Sequence, residues 1–267
     1  MKSIQGIPIT SVVIFFTLTF FAQATAQKII IPKTGIIVFE KLGKVTNQKL
    51  YDSTLSILNS KMKIMFRKEI TDGFTNQEID YNSNYVEDII DMSMQTLDFG
   101  ISGDNLKKYH VFNDSTITSY RKLNDKIQGD YQLINRNTQT YSMRSKIDST
   151  IIPIMDNSYE YLDEDRIIIS EYKDQNKIIN GLDCFKVVLT KIDKISSDEG
   201  ISLLYDELEN PQTTYVLYVT ESLKCKYHPV INYKSILEKY YPLEIVEYSN
   251  LIQGIESIYS LKEFSLK

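Results

Sequence analysis

Residues 108–144 read KYHVFNDSTITSYRKLNDKIQGDYQLINRNTQTYSMR, and this stretch decides the fold. Tyr109–Phe112 and Thr116–Arg121 flank Asn113-Asp114-Ser115, whose short polar side chains favour a tight turn. Tyr131–Ile134 and Gln139–Arg144 flank Asn135-Arg136-Asn137-Thr138 in the same way. In the last segment Tyr141 and Met143 alternate with Thr140, Ser142 and Arg144, the period of a half-buried strand. Hairpins in succession leave no room for helical crossovers, so these strands pair antiparallel.

The same pattern extends in both directions. Gly35–Lys41 reads as a first strand with Ile37 and Phe39 on one face. Lys61–Ile70 is expected as another, because Met62, Ile64 and Phe66 alternate with Lys63, Met65 and Arg67. Asn47–Ser60, between them, is polar and shows no decided period. Downstream, Arg166–Tyr172, Cys184–Thr190, Thr213–Thr220, Leu243–Tyr248 and Ile255–Phe264 read as strands. Lys191–Gln212 is a polar loop in which Ile201–Leu208 can make a short helix, and Lys234–Tyr240 reads as a short helix before Pro242. The best helix is Asn84–Leu97. Asn84 stands as its cap with Glu87 three residues on. Val86, Ile89, Ile90, Ser93, Met94 and Leu97 share one face, with Asp88, Asp91 and Gln95 opposite. That stripe needs an apolar partner, and the sheet is the partner expected. The fold class is mainly β with α: one large, curved antiparallel sheet with a helix against one face.

Two strands are apolar on both sides. Ile167, Ile168 and Ile169 run together, and Tyr215, Leu217 and Val219 are backed by Val216 and Tyr218. One-sided sheets alternate more cleanly. Part of the sheet is therefore expected to be covered on both faces, or to carry an apolar ligand cavity on one. Phe185, Val187, Leu189, Tyr215, Leu217 and Val219 are expected to divide between core and cavity lining.

The first 26 residues carry an address. Lys2 gives a positive start, Ile14–Phe21 is mostly apolar, and Ala24-Thr25-Ala26 offers the small residues of a cleavage site. The run Val12–Phe21 is about half the length that spans a bilayer, which argues against an anchor. The reading is a signal peptide over 1–26 and a single β-rich domain over 27–267, exported to the periplasm or beyond, with no transmembrane segment after cleavage. Removing 26 of 267 residues leaves 241, enough for one large core. Removing Lys2 leaves 29 basic against 35 acidic residues, a net −6. That balance offers no footprint for nucleic acid, whose binding rests on neutralising phosphates. The 19 tyrosines fit strand propensity. Cys184 and Cys225 both lie in the exported part, where a bridge can form. It would close a loop of about 40 residues, worth roughly 4 kcal/mol in the chain-entropy treatment. Two separate buried thiols are the alternative.

Motifs for chemistry are absent. His110 and His228 share no ligand spacing with each other or with the cysteines, so no metal or cofactor is expected. Ile101-Ser102-Gly103 lacks the flanks of a nucleophile elbow. Asp163-Glu164-Asp165 and Asp206-Glu207 lack the spacing of a calcium loop and read as solvated charge.

Four segments, in order, resemble the GLPGLI family of exported Bacteroidota proteins. These are Thr34–Glu40, Lys177–Val187 with its Asn180-Gly181 opening, Tyr215–Thr220, and Tyr240-Tyr241-Pro242-Leu243-Glu244-Ile245 in the place of the namesake hexapeptide. Of that hexapeptide only the Pro and neighbouring aliphatics match, and Lys44–Gly103 has no counterpart. The resemblance implies an open half-barrel similar to periplasmic lipoprotein carriers, with a helical lid and an apolar concavity. It assigns no catalytic residue. Three readings follow: a binding module for a lipid or other apolar ligand; an envelope protein engaging a protein partner through a sheet edge or Tyr-rich surface; and, last, a hydrolase, which would need clustered acids or a perturbed His.

Overall fold

The two hairpins of residues 108–144 are present in the computed structural model, which describes residues 28–72, 83–95, 106–152, 157–162, 164–192 and 211–267. They belong to a run of strands β2 (Leu106–Asn113), β3 (Thr116–Leu123), β4 (Lys126–Asn135) and β5 (Thr140–Arg144). A turn not anticipated from the sequence joins β3 to β4. Asn124 and Asp125 both take positive φ (48° and 60°), the mirror-image geometry that two-residue hairpins need and that Asn and Asp tolerate. The remaining strands are β1 (Thr34–Val45), β6 (Ile151–Ile152), β7 (Ile167–Ile179), β8 (Leu182–Ile192), β9 (Gln212–Thr220), β10 (Tyr241–Ser249) and β11 (Ile255–Leu266). They form one 11-stranded sheet in the order β6-β5-β4-β3-β2-β1-β11-β10-β9-β8-β7. Each pairing is antiparallel. β6 and β7 stand at opposite edges, so the sheet does not close. The open antiparallel sheet expected from the sequence is therefore the fold.

Lys61–Ile70 is not a strand. It is the second half of helix α1 (Gln48–Thr71), capped by the Asn47 side chain, which accepts from the Leu50 N–H. The strand reading put Met62, Ile64 and Phe66 on one face, yet Ile64 is 59% exposed. The buried residues are Tyr51, Leu58, Met62 and Met65, spaced seven, four and three apart. That helical period runs through Asn47–Ser60, and no Gly or Pro interrupts it. A ten-residue window lets Lys and Met alternate by chance, whereas the full span selects the helix.

Helix α2 (Ser83–Gln95) matches the expected amphipathic helix, with two corrections. It starts at Ser83, so Asn84 lies inside it rather than capping it. Its partner is α1, not the sheet. Val86 and Ile90 are buried and Ile89 is half-buried. Lys63 pairs with Asp91 at 3.1 Å and Arg67 with Glu87 across the two helices. Such exposed pairs add little stability, so the apolar contact carries the association. The Met94 side chain, Leu97, residues 1–26, Ile101-Ser102-Gly103, Asp163 and Ile201–Leu208 lie outside the described residues. α1 itself packs Leu58, Met62 and Met65 against Leu251 and Ile252 in the β10–β11 turn.

The cover expected of a helix is supplied by the connection from β9 to β10, residues 221–240, which includes the short helix α3 (Lys234–Leu237). Leu223, Cys225, Tyr227, Ile231, Tyr233 and Ile236 from this connection are buried with Ile37, Phe39, Val187, Leu217 and Ile245 of the sheet in one core. Ring pairs such as Phe39–His228 (4.7 Å) and Tyr215–Tyr233 (5.8 Å) fasten it down. Each fully buried Leu, Ile or Val contributes about 1.5–3 kcal/mol relative to exposure.

Candidate functional site

The covering connection fills only part of this sheet face. Over β2–β5, strand register arranges the side chains of this face in three rows, the first of them largely buried in the core. Phe112, Ile117, Ile134 and Tyr141 are successive partners and form an apolar row. One pleat along lie His110, Ser119, Gln132 and Met143. One pleat further lie Lys108, Arg121 and Gln128. Apolar, neutral polar and cationic side chains thus follow one another on a single face.

Above these rows are two adjoining clefts of about 400 Å³ each, within the usual range for small-molecule sites. The first is floored by His110, Ser119, Gln132, Ile134 and Tyr141, with His228, Pro229, Val230 and Asn232 of the covering connection and Tyr159 and Glu160 as walls. The second is lined by Lys108, Arg121, Gln128, Asp130 and Met143 among others. Ser119, Gln132 and Pro229 line both, so the two are one groove.

Its walls are tied together by Asn232. The Tyr159 hydroxyl donates to Asn232 Oδ1 at 2.9 Å, Asn232 Nδ2 donates to the Glu160 carbonyl at 3.0 Å, and the Leu162 N–H donates to the Asn232 carbonyl. Tyr159 also rests edge-on against Tyr227, with ring centroids 4.9 Å apart. Its burial pushes the phenol well above its ordinary value. Tyr161 is pushed up to about 12, chiefly by burial. Both hydroxyls stay protonated donors.

The two histidines differ in role. His228 Nε2 lies 3.0 Å from the Pro242 carbonyl, and Nδ1 lies 3.0 Å from the backbone N–H groups of Val230 and Ile231. The N–H groups can only donate, so Nδ1 accepts, Nε2 carries the proton, and the ring is neutral. It spends both nitrogens on holding the covering connection in place. Burial keeps its pKa well below the ordinary value. His110 is also buried, but its Nδ1 has no hydrogen-bond partner. Burial, and then the Lys108 charge, lower its pKa to about 3, so it too is neutral. An unpartnered buried polar atom is costly, and this one belongs to a side chain that lines the cleft.

The six residues expected to divide between core and lining all join the core. Val187, Leu189, Leu217 and Val219 are buried in it, and Phe185 and Tyr215 pack against it. None of the six lines the groove. Cys184 and Cys225, for which a bridge was left open, are free and buried. Their thiols instead lie near the carbonyls of Leu182 and Tyr227. Of the residues that form the groove, only His110 and His228 were weighed for chemistry beforehand, and then only as metal ligands. Their signal was present: Lys108-x-His110-x-Phe112 and Ile117-x-Ser119-x-Arg121 place polar groups at the same parity as core residues. Among the described residues no cluster of three His, Cys, Asp or Glu is placed to hold a metal, and no helix is long and apolar enough to cross a membrane.

The chain matches no protein-family model, and no curated protein is significantly similar to it in sequence. Among solved structures it is similar to the Mycobacterium tuberculosis lipoprotein LppX at 8% identity and TM-score 0.28, over 97% of this chain and 100% of that one. It is similar to LprF from Mycobacterium bovis at 12% identity and TM-score 0.26, over 61% and 79%. A third is the LolA superfamily protein NE2245 from Nitrosomonas europaea, at 8% identity and TM-score 0.28, over 94% and 93%. Superpositions this loose transfer neither a ligand nor a residue role.

Proposed function

We propose that this protein is an exported, non-enzymatic component of the cell envelope that holds a ligand with an apolar portion in the groove over β2–β5. One observation carries the reading: the groove left open beside the filled core, roofed on one side by a connection whose own histidine is committed to the backbone. Ile134, Tyr141, Tyr159 and Val230 supply the apolar surface. The leader-like residues 1–26 and the ordered resemblance to GLPGLI proteins support an envelope location. Native mass spectrometry of the mature protein purified from its own host tests the reading. A bound species of constant mass, released by organic solvent, is the expected result. A chain that is always empty, and that takes up no added amphiphile, would contradict it.

A second reading has its own observation. β7 is a long edge strand with Ile168, Tyr172 and Ile178 exposed. Edges of this kind add strands from partner proteins. A single envelope protein co-purifying in equal amount, and lost when Ile178→Lys is introduced, would favour it.

A further inference from the structure

We propose that the ligand is an anionic amphiphile, its anionic group held by Lys108 and Arg121 and its apolar chain running past Gln132 toward Tyr141, Tyr159 and Val230. This rests on the binding reading above and adds the chemistry of the ligand.

Three observations carry it. The first is the order of the rows, in which the cationic one lies two pleats from the apolar one on the same face. A ligand lying in the groove meets both, whereas a purely apolar one leaves the basic end unused. The second is the state of the cations. Neither Lys108 nor Arg121 forms an ion pair among the described residues. Lys108 is half-buried, and its ammonium sits 5.3 Å from the centre of the Tyr259 ring. The acids nearby, Asp130 and Glu247, accept hydrogen bonds from the Lys146 N–H and the Tyr259 hydroxyl and keep their charge, but neither pairs with Lys108 or Arg121. Burial lowers the Lys108 pKa, Glu247 partly opposes it, and the Lys41 and Arg121 charges lower it further. A partly desolvated ammonium beside two other cations is an unfavourable arrangement that a bound anion relieves. It stands out in a chain whose net charge is −5. The third is the neutral row between. Ser119 and Gln132, which line both clefts, offer hydrogen bonds to a carbonyl or hydroxyl that follows an anionic head, as in an acylated or ester-linked lipid.

Calorimetric titration of the mature protein at pH 7.5 tests this with four probes: dodecanoate, dodecanol, dodecyltrimethylammonium and inorganic phosphate. Dodecanoate is expected to bind about tenfold more tightly than dodecanol, the cationic amphiphile to bind weakest, and phosphate alone to compete poorly. The preference for dodecanoate over dodecanol should weaken at high salt. It should vanish in Lys108→Gln/Arg121→Gln and survive in Lys108→Arg. Thermal unfolding of each variant separates lost recognition from lost folding. Equal binding of dodecanoate and dodecanol to the wild type would overturn the anionic head while leaving the binding reading standing. Phosphate binding as tightly as dodecanoate would make this a free-anion site and overturn the amphiphile. Failure of all four probes would count against the binding reading itself.

Discussion

Acidification should destabilise this protein well before its carboxylates titrate, because two histidines are buried neutral. In the unfolded chain each titrates near the ordinary histidine value of 6.5, whereas in the folded chain His110 is held near 3 and His228 well below 6.5. Below pH 6.5 the unfolded state therefore binds more protons, and stability falls as pH falls. For one histidine that stays neutral when folded, the loss between pH 7.5 and 5.0 is about 2 kcal/mol by linkage. If His228 behaves as His110 does, the pair together lose about 4 kcal/mol, a large share of the 5–15 kcal/mol typical of a domain. The contribution is fully present above the unfolded pKa and is lost progressively below it. Urea unfolding followed by circular dichroism at pH 7.5, 6.5, 5.5 and 5.0 measures it. His110→Gln should remove about 2 kcal/mol of the difference between the two pH extremes, whatever it does to stability at either one. A wild-type stability that is flat across this range would refute the reasoning, as would an unchanged pH dependence in the variant.

Other consequences follow from single contacts. Gly254 has φ +78°, and a Cβ there would meet the Asn47 carbonyl oxygen at 2.4 Å and the Tyr51 nitrogen at 2.8 Å. Gly254→Ala should therefore cost at least about 2 kcal/mol in chemical denaturation, through positive φ and a backbone clash where α1 meets the β10–β11 turn. Cys184 and Cys225 are both raised to about 11, chiefly by burial. Both should react slowly with a thiol reagent in the native protein and quickly in denaturant, with two thiols counted per chain; none counted would mean a bridge. Leu217 is fully buried in the core, so Leu217→Ala should cost about 2–5 kcal/mol. It should leave dodecanoate affinity unchanged, since Leu217 lines no part of the groove.

Much of the fold was legible because sheets write themselves locally. Alternation and turn residues placed the hairpins around Asp114 and residues 135–138, and Asn180-Gly181 takes the positive φ values (49° and 77°) that a two-residue turn demands. α1 was misread where a short window fits two periods at once, and only the longer span from Tyr51 to Met65 decides between them. The partner of α2 was misjudged for a related reason. An apolar stripe states that it will be buried, not against what, and the missing second helix left the sheet as the only candidate. The site was the least legible part. The doubly apolar strand Tyr215–Val219 drew attention to Leu217 and Val219, which are buried with the connection of residues 221–240. Apart from its short helix, that connection has no periodicity to read, yet its buried residues are what fill the sheet face and leave the open space over β2–β5. Inward polar residues such as Ser119 and Gln132 carried the better signal. A polar group at core parity must be exposed in a cleft or find a partner.

The groove as a binding site is tested most directly by amide chemical-shift mapping of isotope-labelled mature protein titrated with dodecanoate. The account predicts shifts concentrated at His110, Ser119, Gln132, Tyr141, Val230 and Asn232, with Phe185, Val187 and Leu217 unmoved. Shifts centred on β8 and β9, or no saturable shifts at all, would contradict it.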